Sequence, residues 1–277
     1  MIHLLKAALL GIVQGLTEFL PVSSSGHLLL VEKALHWDLL ADPHLGKAFD
    51  VALHAGTFLA LVLYFRKEVV RLLAAFVASL RFGVKGNEER RIAWFIVIGT
   101  IPAAIAGVKW EKVIEERLGG ITLIAVQLIV FGIVLYLAER LGRKVRTLRE
   151  ANLGDGILIG LAQALALAPG VSRSGITIST GLARGLKRDS AARFSFLLSI
   201  PIVGGTAVYS LLKLAKDHAG LGGDMPQMFV VGMVTAAISG YLCIRYFLGY
   251  LEHRSLTPFV IYRIALGVML LAFFRGG

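Results

Sequence analysis

Apolar residues run along this chain in stretches long enough to cross a bilayer. Residues 92–108, 121–138, 194–212 and 227–244 carry no charged side chain, and a helix crossing the hydrocarbon core needs about 17 to 25 such residues. Two more runs of similar length hold isolated polar groups: 48–65 contains Asp50 and His54, and 258–274 contains Arg263. The pattern predicts six membrane-spanning helices. Two other apolar stretches are broken. Residues 2–35 and 152–187 each run apolar, stop at proline or glycine, pass a Ser-x-Ser-Gly turn and become apolar again.

The broken stretches are copies of one another. GIVQGLTEFLPVSSSG at 11–26 recurs without a gap at 160–175 as GLAQALALAPGVSRSG. The identical pairs are Gly11/Gly160, Gln14/Gln163, Leu16/Leu165, Val22/Val171, Ser23/Ser172, Ser25/Ser174 and Gly26/Gly175. Most are Gly, Gln or Ser, so shared hydrophobicity does not explain them. Interruptions at matching positions of two halves point to a binding site built from broken helices. Three predicted spans separate the copies, an odd number, so hairpins that dip into the membrane would enter from opposite faces. The expected fold is therefore an all-α polytopic membrane protein forming a single domain over 1–277. It is an inverted repeat of about 1–140 and 151–277, with re-entrant hairpins at 2–35 and 152–187 and both termini outside the cytoplasm.

Composition agrees and charge orients the chain. Its 277 residues are 56% hydrophobic and 17% charged, with mean hydropathy +0.75, against roughly 45–50% apolar usage in soluble domains. The net charge of +11 would suit a nucleic-acid binder, but its distribution argues otherwise. Loops 66–91, 140–149, 184–193 and 245–254 hold eighteen of the Lys and Arg residues; the opposite side holds nine, and Arg173 and Arg263 lie inside apolar segments. The richer side is expected to be cytoplasmic and to face anionic lipid, so no nucleic-acid partner is expected. The lone Cys243 lies within a span and excludes a disulfide within the chain. Gln14 and Glu18 interrupt the apolar N-terminus, and no small-residue cleavage site follows, which argues against a cleaved leader.

The tips carry the candidate chemistry. Non-helical backbone at membrane depth is tolerated only where it is buried or lines a polar cavity. A helix starting just after each serine turn would aim free N–H groups and a positive dipole end into that cavity, which suits an anion. Arg173 adds a cation with a fork matched to phosphate oxygens. Its counterpart in the first copy is Ser24, so one half offers a hydroxyl where the other offers a cation. Glu18 and His27 lie close to Ser24 in sequence, and either could accept the hydroxyl proton. The set Ser24, His27, Glu18 and Arg173 fits phosphoryl transfer through a serine. Asp155 is expected to cap the helix that follows it, Glu111, Glu115 and Glu116 to face solvent, and Asp50, His54 and Arg263 are not separated from internal polar contacts.

The stretches QGLTEFLPVSSSGHL (14–28), FDVALHAGT (49–57), PGVSRSGIT (169–177) and PFVIYR (258–263) resemble the undecaprenyl-diphosphate phosphatase family, also called BacA. The resemblance covers essentially the whole chain. It implies a bacterial inner-membrane enzyme of six spans and two re-entrant hairpins. Such an enzyme hydrolyses the C55 isoprenyl diphosphate to the monophosphate, recycling the carrier for peptidoglycan and conferring bacitracin resistance. By position, Ser24 resembles the nucleophile, His27 and Glu18 the acid–base group and Arg173 the phosphate-binding arginine; Gln14, Ser23, Ser25, Gly26, Ser172, Ser174 and Thr177 would be substrate contacts. Gln14 stands where many members have Glu, leaving Glu18 the only carboxylate in its block, and Ser25 keeps the hydroxyl where Thr is frequent. The resemblance also implies a response to Mg or Ca, with Glu18 bridging an ion to the diphosphate. It favours a site opening outward and is compatible with a homodimer. The alternative is a transporter that moves a polyprenyl phosphate between leaflets without hydrolysis; a nucleophile beside a base favours the enzyme.

Overall fold

The computed structural model describes residues 1–35, 43–216 and 225–273, and these form eleven α-helices and no strand. They are α1 Ile2–Phe19, α2 Ser24–Leu35, α3 Pro43–Tyr64, α4 Arg66–Phe82, α5 Glu88–Leu118, α6 Ile121–Leu141, α7 Leu153–Leu165, α8 Arg173–Ala183, α9 Arg188–Lys216, α10 Met225–His253 and α11 Thr257–Phe273. Among the described residues, six stretches of helix are long and apolar enough to cross a membrane: Ile2–Phe19, Leu45–Tyr64, Glu88–Trp110, Ile121–Leu141, Arg188–Tyr209 and Met225–His253. Five coincide with predicted spans. The sixth expected span, 258–274, becomes α11, whose 17 residues sit at the lower limit of spanning length. In its place α1 qualifies at 18 residues. Its polar residues, Gln14 and Glu18 among them, leave it the least hydropathic of the six.

Apolar side chains remain on the outside of the bundle. Leu9, Ile12 and Leu16 on α1 and Ile101, Ile105 and Val108 on α5 are each more than 40% exposed. Stripes of this kind would aggregate a protein in water and suit one surrounded by lipid. The core between helices is aromatic, with Phe19 edge-on to Phe196 at 5.4 Å and Phe247 edge-on to Phe259 at 5.3 Å.

Helix pairing relates the two halves. α1 lies along α10, and α7 along α5; α3 packs on α10, and α9 on α5; α3 meets α9, and α6 meets α11. The repeated glycines explain the closeness of the first two pairings. A Cβ at Gly11 would lie 2.4 Å from the Gly232 carbonyl oxygen, and one at Gly160 would lie 2.4 Å from the Gly99 Cα. Only glycine allows backbones so near, and such contacts replace the hydrophobic drive that lipid cannot supply.

Three of the four basic loops, 66–91, 140–149 and 184–193, touch one another. Arg149 approaches Glu88 at 3.8 Å, Arg193 approaches Glu68 at 3.6 Å, and Arg146 donates to the Arg184 carbonyl at 2.8 Å. Asp155 sits among them. Its carboxylate accepts from the Asn152 backbone N–H at 2.8 Å while the Asn152 side chain accepts from the Asp155 N–H, a reciprocal cap that opens α7. The same fully buried carboxylate accepts from Arg146 at 2.6 Å and Arg184 at 2.8 Å, fastening the second broken helix to both loops.

Candidate active site

Both chain breaks use the same backbone device. α1 stops at Phe19, the chain passes Leu20, Pro21 and Val22, and Ser23 turns left-handed at φ 74° before α2 begins at Ser24. α7 stops at Leu165, and Gly170 at φ 96° and Ser172 at φ 71° precede the start of α8 at Arg173. Ser23 and Ser172 are repeat partners, and positive φ costs a non-glycine residue about 1–3 kcal/mol. Local hydroxyl contacts offset part of it. Ser23 and Ser25 hydroxyls lie 3.3 Å apart, as do those of Ser172 and Ser174, and the Ser172 hydroxyl accepts from the Gly175 N–H at 3.2 Å.

Arg263 ties the two tips together. Fully buried on α11, it donates to the carbonyls of Pro21 at 3.1 Å, Gly170 at 2.9 Å, Val171 at 2.9 Å and Leu128 at 3.3 Å. Pro21 and Gly170 are themselves repeat partners. A buried cation is costly unless hydrogen-bonded; the carbonyls of Pro21, Gly170 and Val171 are free because they lie in the breaks between helices, while Leu128 lies inside α6. Ser174 adds a second link by donating to the Leu20 carbonyl at 2.9 Å. Thr177, also buried, donates to the Arg173 carbonyl at 2.7 Å and lies 2.6 Å from the Ser195 hydroxyl. Ser174 and Thr177, expected as substrate contacts, thus spend their hydroxyls on protein partners behind the tips.

In front of the tips lies a cavity of about 270 Å³, lined by Glu18, Ser23, Ser24, Ser25, Ser172 and Arg173 from the expected set. Glu18 is its hub. Its Oε2 accepts from the Ser24 hydroxyl at 2.8 Å and from Gln14 Nε2 at 3.2 Å, and its Oε1 accepts from Arg173 Nη2 at 2.8 Å. The charges of Glu18 and Arg173 are almost removed from water, at 8% and 13% side-chain exposure. Breaking such a pair from one side leaves a buried charge uncompensated. Gln14 and Gly26 are buried outside the lining. The repeat therefore brings Ser24 and Arg173, 149 positions apart in sequence, onto one carboxylate.

His27 is turned elsewhere. Its Nδ1 lies 2.7 Å from the Ser23 carbonyl and its Nε2 lies 2.5 Å from the Tyr262 hydroxyl, with the two rings stacked. A carbonyl only accepts, so Nδ1 carries the hydrogen and Nε2 accepts from tyrosine. Neither nitrogen is left for Ser24. The spacing of three residues places His27 on the same helical turn as Ser24 but not at its hydroxyl.

Among the other residues that line the cavity, His54 and Gln163 carry side-chain nitrogen. His54 Nε2, from α3, stands 4.0 Å from Glu18 Oε2. Gln163, the repeat partner of Gln14, is buried with neither amide atom hydrogen-bonded. The 149-residue offset could have pointed to Gln163. His54 had only its position as an ionisable group inside an apolar run. Among the described residues no three His, Cys, Asp or Glu side chains gather to hold a metal. Glu18 is the single carboxylate of the lining and both its oxygens are engaged, so these side chains do not form a cage for a divalent cation.

The model of the family described as bacitracin resistance protein BacA matches residues 7–269. The chain belongs to the BacA family. This BacA-family chain is 48% identical to the undecaprenyl-diphosphatase of Trichlorobacter lovleyi, over 97% of its own length and 96% of the relative's. It is 48% identical to that of Geobacter sulfurreducens and 44% identical to that of Rubrobacter xylanophilus, over 98% of both chains in each case. The family match includes both tips, α3 and Arg263, and so every residue that lines or braces the cavity.

Proposed function

We infer that this protein is an undecaprenyl-diphosphatase, hydrolysing the C55 isoprenyl diphosphate to undecaprenyl phosphate and phosphate. As a multi-pass membrane enzyme it recycles the lipid carrier for peptidoglycan synthesis and confers bacitracin resistance. The reading is carried by full-length similarity to enzymes of that name together with the convergence of Ser24, Glu18 and Arg173 on one cavity.

In the mechanism that this geometry supports, the Ser24 oxygen attacks the terminal phosphorus and its proton passes to Glu18 Oε2. The bond to the bridging oxygen breaks and undecaprenyl phosphate leaves. Positioning and charge stabilisation supply most of the catalysis in phosphoryl transfer. Arg173 and the N–H groups at the starts of α2 and α8 face the incoming oxygens, and a diphosphate would compete with Glu18 for the guanidinium. Water then releases phosphate from Ser24. A magnesium or calcium ion would have to be held by the diphosphate oxygens, with Glu18 the carboxylate of the cavity lining. Ser24→Ala should fold and release essentially no phosphate from undecaprenyl diphosphate in detergent, while wild-type chain turns it over. Undiminished release would remove the serine from the mechanism.

The two breaks are read as re-entrant hairpins of an inverted repeat, entering from opposite faces of the bacterial inner membrane, with the basic loops in the cytoplasm and both termini outside. The exchanged helix pairings, the matched left-handed serines and the clustering of the basic loops support this. Cysteines placed singly at Lys85 and Lys109 should react with an impermeant thiol reagent from opposite sides in a Cys243→Ser background; labelling from one side would overturn the topology.

A further inference from the structure

We propose that His54 is a further catalytic residue, the base that takes a proton from the water hydrolysing phosphorylated Ser24. The proposal rests on the serine reading above. That reading leaves a proton without a destination: after Ser24 has attacked, Glu18 Oε2 already carries the serine proton, so the water of the second step needs another acceptor. Among the side chains lining the cavity, Ser23, Ser25, Ser172 and Thr206 offer hydroxyls, Gln163 an amide and Arg173 a permanent cation. None of these serves as a general base, whereas histidine is the side chain most often used as one.

Its orientation suits the task. His54 Nδ1 lies 2.9 Å from the Asp50 carbonyl one helical turn back, and since that oxygen only accepts, Nδ1 bears the hydrogen and Nε2 the lone pair. Nε2 is the atom that stands 4.0 Å from Glu18 Oε2. A water in that gap, donating to Nε2, would stand beside the oxygen that holds the Ser24 hydroxyl. The His54 side chain is 40% exposed, so the cavity gives it a route for returning its proton to solvent. His27 has the opposite arrangement, with both nitrogens occupied.

The step balances. The water oxygen bonds to phosphorus as the bond from phosphorus to Ser24 Oγ breaks. One water proton goes to His54 Nε2, and Ser24 Oγ recovers its proton from Glu18. Phosphate departs and His54 gives its proton to solvent, leaving the site as it began.

The test is a rapid-quench experiment on the detergent-solubilised full chain with undecaprenyl diphosphate labelled in its terminal phosphate. In His54→Ala, and in His54→Gln as a better-packed replacement, the first turnover of undecaprenyl phosphate should keep within about threefold of wild type. Steady-state phosphate release should fall about a hundredfold, within the usual range for losing a general base. The label should accumulate on the peptide holding Ser24, and added imidazole should discharge it from His54→Ala. Unchanged turnover, or equal slowing of both products with no trapped label while Ser24→Ala is inactive, would overturn the role of His54 and leave the serine reading intact. Phosphate release by Ser24→Ala would overturn the serine reading itself, and the proposal with it.

Discussion

Gln14 and Gln163 occupy the same place in the two halves and have opposite fates. Gln14 donates to Glu18. Gln163 has no hydrogen-bond partner, and four residues further on, where the first half has Glu18, the second has Leu167. The tips that follow share their turn, their left-handed serine and their hydroxyl pair. They then diverge at the next residue, Ser24 against Arg173, and again at His27 against Ile176, a buried member of an apolar cluster. The common residues shape backbone and the divergent ones hold charge. A duplicated scaffold can make a catalytic site by breaking its symmetry at a few side chains while the backbone that aims them stays the same.

The two halves differ most in consequence at Glu18. Glu18→Gln keeps shape but removes the acceptor of the serine proton and the partner of Arg173, and phosphate release should fall about a thousandfold, within the usual span for a lost general base. Adding Leu167→Glu to that variant should not restore it, because Ser24 lies on the other half. Restoration would make the halves interchangeable. Arg173→Ala should cost about a hundredfold in kcat, the usual size for losing a group that stabilises transition-state charge, measured by the same assay.

The glutamines extend this difference. Gln163→Leu removes an unpaired buried amide, which costs about 1–3 kcal/mol while unsatisfied. It should raise the unfolding temperature in detergent and lower turnover about tenfold if the substrate supplies the missing partner. Gln14→Leu should lower the unfolding temperature, since it strips a donor from a buried carboxylate. Shifts of the same sign in both variants would show that the two sites are not distinguished by Glu18. The smallest effect belongs to Tyr262→Phe. One hydrogen bond to His27 disappears, worth about 1 kcal/mol, and turnover should stay within about fivefold. A hundredfold loss would bring the His27 ring into the chemistry.

Much of this was legible in the chain alone. Five of the predicted spans are helices at the expected places, because a long charge-free run has few ways to satisfy its backbone in lipid other than as helix. The helices expected after the serine turns begin within them, at Ser24 and Arg173. Repeat offset alone paired those two residues, and they do reach the same carboxylate. Charge counting grouped four basic loops, and ion pairs join three of them.

What remained for tertiary structure was direction. Sequence spacing says that His27 is near Ser24 but not where its ring points, and that depends on Tyr262, 235 positions away. His54 and Arg263 are polar groups in apolar runs, and the sequence treats them alike. Folding sends one to the cavity and the other to the carbonyls of both tips. Thr177 and Ser174 carry hydroxyls like those of the lining serines yet face protein, because the partners Ser195 and Leu20 come from other segments. The chain by itself determined which segments are helical, where they break and which half carries which charge, since these follow from local composition and a repeat. Apart from Gln14, one helical turn from Glu18, which polar atoms meet at Glu18 was decided by packing, since Arg173 and His54 come from segments whose separation in sequence carries no record of their distance in space.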